Sequence, residues 1–138
     1  KIGDLEPDFL TGCALFIKRK VIKKVGFLDE RFFAYYEDVD YSYRIKRAGY
    51  KIKVFSGSII YHKKSASAGR RGSDKFSKLQ VYLLMKNSLI VLKRIYKKYV
   101  FVLLIQILIY PIFLFYSLSE KKNFLSILRG IKDGIKEI

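Results

Sequence analysis

From Val100 to Leu118 the chain carries no charged side chain. In a protein of 138 residues with 28 Lys and Arg against 12 Asp and Glu, such a run has few places to go. At about 1.5 Å per residue, a helix of that length reaches roughly the 30 Å of a bilayer core. Lys97, Lys98, Lys121 and Lys122 bracket it, Tyr99, Tyr110 and Tyr116 suit the interfaces, and Pro111 would kink it. The expectation is a membrane-inserted helix, either spanning or kinked and re-entrant. A wholly buried core helix is the other reading, and too little chain remains to bury one.

The positive charge is unevenly spread. Residues 1–62 hold 12 basic and 8 acidic side chains, whereas residues 63–98 hold 11 basic side chains and one acid, Asp74. A basic middle third favours anionic partners such as lipid headgroups or nucleotide phosphates. Phe76 to Lys98 reads as a long helix, with Lys75, Lys78, Lys86, Lys93 and Lys97 roughly along one face, suited to a membrane surface. Phe124, Leu128, Ile131, Ile135 and Ile138 form a narrow apolar stripe, which fits either packing on a neighbouring helix or a second interfacial helix. Between the two parts, residues 63–75 contain no large apolar residue and read as an exposed loop.

The first 62 residues show shorter periods. Thr11–Ile17 is an apolar run that reads as a buried strand carrying Cys13, the lone cysteine. A helix is expected over Lys18–Val25 with Gly26 as its stop, and another from about Glu37 to Ala48, closed by Gly49. In the second helix Val39, Ile45 and Tyr43 (or Ser42) can point inward, and Arg44 can pair with Asp40 one turn earlier. Residues 50–55 alternate like a strand, and 58–62 read as another. One cysteine permits no internal disulfide, which fits a reducing compartment. The chain starts at Lys1 with no initiator Met and no signal-peptide pattern, and reads as the C-terminal piece of something longer.

Chemistry concentrates at Tyr36-Glu37-Asp38-Val39-Asp40, where three carboxylates fall within four positions at the start of a helix. Capping and the helix dipole account for one or two acids there, Asp40 above all. A carboxylate at a cleft edge beside rings that stack on a sugar is also a good general base for a hydroxyl nucleophile. Asp38-Val39-Asp40 additionally matches a short acidic metal-binding pattern, which carries little weight alone. His62 is the chain's one histidine, at the end of an apolar run. Such a residue is either structural or a metal ligand. Arg70 and Arg71 sit in a Gly-flanked stretch that could close over phosphates or simply be solvated.

Taken together, Gly26–Phe33, Tyr36–Arg44, Ala48-Gly49-Tyr50 and His62, with Ser65 and Ser67 beyond it, resemble the C-terminal half of an inverting family 2 glycosyltransferase. The similar subgroup is the rhamnosyltransferase and galactofuranosyltransferase type, and the resemblance covers about residues 9–90. It implies an α/β fold: the C-terminal part of a GT-A nucleotide-diphospho-sugar transferase domain over residues 1–75, followed by membrane-associated helices over 76–138. It implies that Asp38 is the catalytic base and that Glu37, Tyr36, Thr11 and Gly12 face the acceptor. His62 would complete a divalent-cation site (Mg2+ or Mn2+). Arg70 and Arg71, by their Gly-flanked basic loop and not by the resemblance, are the candidates to meet the donor phosphates. Lys86-Asn87 stands where relatives often show Arg-Asn. The donor-binding half has no counterpart here, and Asp38-Val39-Asp40 cannot supply its metal motif. The resemblance therefore implies that this half precedes Lys1, and that the isolated chain does not turn over.

The expected activity is sugar transfer from a nucleoside-diphosphate donor to a saccharide hydroxyl, lipid-linked, for cell-surface polysaccharide. The expected setting is the cytoplasmic face of the cell membrane, with anionic lipid as a further partner. A non-catalytic membrane-anchoring or scaffold module is the rival reading. Nucleic acid is not an expected partner: only net charge speaks for it, and no recognition motif appears.

Overall fold

In the computed structural model, residues 5–62, 77–96 and 124–138 are described. They divide between two units, one within Lys1–Lys64 and one within Ser65–Ile138. The expected Val100–Leu118 membrane segment and the 63–75 loop, with Arg70 and Arg71, lie outside the described residues.

The first unit is built on α1 (Arg19–Val25) and α2 (Glu37–Arg47). Both helices end at glycines in the left-handed region, Gly26 at φ 86° and Gly49 at φ 87°, where a side chain would be strained. At seven residues α1 is too short to hold together alone. Its packing on α2 does that work: Val21, Tyr41, Ile45 and Ile52 form a buried cluster, with Leu10, Ile17, Val25 and Tyr50 against it. The carbonyls at the α1 C-terminus are also capped from α2. Arg44 donates to Val25 O (3.0 Å) and Phe27 O (2.9 Å), and the Tyr41 hydroxyl donates to Gly26 O (2.8 Å). Asp40, fully buried, accepts from Arg44 Nε at 2.8 Å and fixes the guanidinium in place.

A second line along α2 holds the chain's opening segment. Positions 38, 42 and 46 lie one above another at helical spacing. Asp38 Oδ2 accepts from the Gly12 N–H (2.8 Å), Ser42 Oγ from the Leu10 N–H (3.1 Å), and Lys46 Nζ donates to Asp8 Oδ1 (2.9 Å). Residues 8–12 are thus laid along the helix by side chains, not by a neighbouring strand.

That arrangement overturns the α/β expectation. The described residues are helical and contain no strand or sheet; an isolated antiparallel bridge joins Leu5 and Val54. The apolar run at Thr11–Ile17 leaves Phe16 93 % exposed, and Cys13 is exposed, not buried. Over residues 51–53 the expected alternation exists, with Ile52 buried between exposed Lys51 and Lys53, but the ladder stops at one bridge. Ile59, Ile60 and Tyr61 are exposed. An alternating pattern can satisfy a core without a partner strand, and here it does. Among the described residues, which do not include Val100–Leu118, no helix is long and apolar enough to cross a membrane.

The second unit pairs α3 (Lys78–Tyr96) with α4 (Phe124–Lys136). Its start is a capping box: the Gln80 N–H donates to Ser77 Oγ (3.1 Å), and the Ser77 N–H donates to Gln80 Oε1 (2.8 Å). Val81, Met85 and Ile127 form the shared core, Tyr82 donates to Asp133 Oδ2 (3.0 Å), and Lys86 lies 3.8 Å from Glu137. Contacts advance in the same sense along both helices, so the two run parallel. The expected stripe on α4 is divided: Ile131 packs against the shared core, whereas Phe124, Leu128 and Ile135 are exposed, and the buried positions are Ile127, Gly130 and Gly134. Glycine lets the backbones approach more closely than the larger residues would.

A Cβ on Gly130 would stand 2.6 Å from the Tyr82 carbonyl oxygen, and one on Gly134 2.9 Å from that of Lys86. Neither backbone atom can rotate away. Gly130→Ala is therefore expected to destabilise the helix pair by about 1–3 kcal/mol through overpacking. This outweighs the roughly 1 kcal/mol that alanine gains in helix propensity. Thermal unfolding followed by circular dichroism checks it, and an unchanged or raised midpoint would contradict so close a crossing.

Candidate functional site

The N-terminus of α2 is entered through two consecutive non-glycine residues with positive φ, Tyr35 at 67° and Tyr36 at 69°. Each costs about 1–3 kcal/mol and persists only where its surroundings impose it. Tyr36 occupies the cap position without a side-chain cap bond, and its carbonyl accepts the Asp40 N–H at 2.9 Å to close the first turn. The reversal places Glu37 and Asp38 side by side at the positive end of the helix dipole.

Asp38 is fixed at both oxygens. Oδ2 accepts the Gly12 N–H and Oδ1 the Val39 N–H, both at 2.8 Å. Each oxygen retains acceptor capacity, and the side chain is only half-buried. Glu37 sits differently. Its Oε2 is buried and has no hydrogen-bond partner, and Oε1 would lie 3.3 Å from a Cβ built on Gly12. Burial holds the Glu37 carboxyl above its ordinary range, and the Asp38 charge adds to this; its own backbone N–H pulls the other way. Burial also raises the Tyr36 phenol. The two neighbouring carboxyls thus live in different environments, one pinned by N–H donors and one desolvated.

Thr11, Gly12 and Cys13 are exposed beside this pair, with Thr11 Oγ1 3.4 Å from Cys13 Sγ. The structure therefore brings together Tyr36, Glu37, Asp38 and Gly12, and leaves Thr11 at the solvent edge. Asp40, the third carboxylate of the cluster, turns away to Arg44. His62 is exposed. Among the described residues no group of three or more His, Cys, Asp or Glu side chains comes together. Two contributors escape a reading of the sequence: Tyr35, whose left-handed backbone has no compositional signal, and Ser42, which holds Leu10. The i, i+4, i+8 spacing of Asp38, Ser42 and Lys46 is the signal that could have found the latter.

Over 71 aligned residues the chain is 37% identical to the N-acetylglucosaminyl-diphospho-decaprenol L-rhamnosyltransferase of Mycobacterium tuberculosis, covering 48% of this chain and 23% of that protein. Over 99 residues it is 29% identical to the low-salt glycan biosynthesis hexosyltransferase of Haloferax volcanii, covering 71% of this chain and 31% of that protein. The chain thus spans less than a third of the length of the curated relatives it matches. No family model and no solved structure matches it. The relatives are named as glycosyltransferases, and the relationship is glycosyltransferase-like at that level.

The Glu37 carboxyl titrates higher in the folded chain than in the unfolded one, so proton uptake favours folding. That contribution is full below the ordinary 4.5 and is lost as pH rises through the raised folded value. Glu37→Gln is expected to make the chain more stable than the parent at neutral pH, with the advantage vanishing in acid. Urea melts at both pH values test this; an equal loss of stability at each would show that burial does not penalise the charge.

Proposed function

We propose that this chain is the acceptor-side portion of a glycosyltransferase that moves a sugar, with inversion, from a nucleoside-diphosphate donor to a hydroxyl of a lipid-diphosphate-linked saccharide. The observation that carries the reading is the pinned carboxylate of Asp38, held by Gly12 and Val39 at a strained helix start beside a desolvated Glu37. The partial likeness to transferases, one of which is named for a diphospho-decaprenol-linked sugar, supports the substrate class.

In this mechanism the acceptor hydroxyl docks against Asp38, which takes its proton as the oxygen attacks the anomeric carbon. The new C–O bond forms on the face opposite the leaving group, and the bond to the diphosphate breaks with its electron pair going to the diphosphate oxygen. The two N–H bonds fix the carboxylate before the substrate arrives, so little reorganisation is left for the reaction itself. Glu37, beside it, helps to orient the acceptor. Tyr36 and Thr11 flank the sugar. Donor recognition falls to other parts of the longer enzyme.

In the full-length protein, Asp38→Asn removes the base in a side chain of nearly the same shape, and its amide nitrogen gives up one of the two N–H bonds from Gly12 and Val39. It is expected to lower kcat by about 10²–10⁴-fold while leaving the acceptor KM within a small factor. A steady-state assay with a lipid-diphosphate saccharide decides it, and near-normal turnover would remove Asp38 from the chemistry.

A further inference from the structure

We propose that α1, with the aromatic residues at its two ends, is a surface that lies against an anionic lipid bilayer. Val21 turns into the core of the first unit, and the other side of α1 is given over to cations. All five basic side chains between positions 18 and 24 are exposed, the helix carries no acid, and no ion pair among the described residues engages them. Immediately before this stretch stands Phe16, 93 % exposed, and immediately after it Phe27, 79 % exposed, followed by exposed Leu28.

A single exposed phenylalanine is ordinary. Two nearly bare rings bracketing a short helix of uncompensated cations form a pattern with a particular chemistry. Rings and a leucine partition into the boundary between headgroups and acyl chains, while lysines and arginines meet the phosphates. Single-stranded nucleic acid would also satisfy the cations, but it prefers flat rings on which bases stack. Phe16 and Phe27 could serve in that way, but an exposed leucine beside them gains only from an apolar phase, which favours lipid. This surface is independent of the Asp38 chemistry, and its test uses neither donor nor acceptor.

The chain contains no tryptophan, so Phe16→Trp gives a single fluorescent reporter in the 138-residue chain. With vesicles of phosphatidylcholine containing phosphatidylglycerol, its emission is expected to shift to the blue and to be quenched by brominated acyl chains. High salt should reverse both effects, and vesicles of phosphatidylcholine alone should produce neither. Emission that stays water-like while the protein sediments with the vesicles overturns the proposal. The exposed triple variant Lys20→Gln/Lys23→Gln/Lys24→Gln tests the cations. At about fivefold per charge, partitioning onto the anionic vesicles should fall about a hundredfold. Unchanged partitioning, or tighter binding to single-stranded RNA than to vesicles at the same salt, would also overturn it. Circular dichroism confirms that the variant is folded, and the Phe16→Trp result stands without it.

Discussion

The first unit depends on one guanidinium. Arg44 is tethered by a buried carboxylate on its own helix and reaches across to two carbonyls at the end of α1; its neighbour Tyr41 takes a third. Its cationic head also lies 4.8 Å from the Tyr41 ring. A buried ion pair of this kind adds little net stability over well-packed apolar residues, because desolvation offsets the attraction. What it supplies is geometry. Carbonyls at a helix end accept from many directions, and a fork held on one side by Asp40 selects one of them. Remove that constraint and α1, seven residues long, has little to define its angle to α2.

With α2 placed, its other side orders the beginning of the chain through Asp38, Ser42 and Lys46. The candidate base is therefore also a structural acceptor: the same carboxylate that would take a proton from a sugar hydroxyl holds Gly12. Such double use couples the position of the 10–12 segment to the protonation of Asp38. The strain at Tyr35 and Tyr36 belongs to the same economy of space, since the left-handed turn lets two carboxyls share one helix start without either becoming an ordinary cap.

Where the sequence was legible, a local rule sufficed. Gly26 and Gly49 marked the ends of α1 and α2 because left-handed φ is cheap only for glycine, and Arg44 found Asp40 because four residues make one helical turn. The acidic cluster stood out by charge alone. What misled was periodicity without partners. Residues 50–55 do alternate, yet a strand needs a second strand, and Leu5 supplies a single bridge. On α4 the apolar stripe reaches the shared core at Ile131, and the rest of the packed face carries glycines, whose contribution is closeness and not hydrophobic area. Tyr41 was missed as a core residue, since its hydroxyl suggests water until Gly26 O is seen to receive it. The left-handed tyrosines could not be read at all, because nothing in their chemistry favours that backbone.

The parallel course of α3 and α4 has an electrostatic consequence. With Gly130 against Tyr82 and Gly134 against Lys86, the first turn of α4 comes level with the first turn of α3. Two partial positive charges then sit at the same end of the pair, a backbone's width apart, and neither first turn contains an acid to balance them. Antiparallel neighbours would have cancelled these dipoles; parallel ones add them. The glycine contacts that bring the axes together are working against a repulsion that mobile ions can screen, so this helix pair should tighten as ionic strength rises.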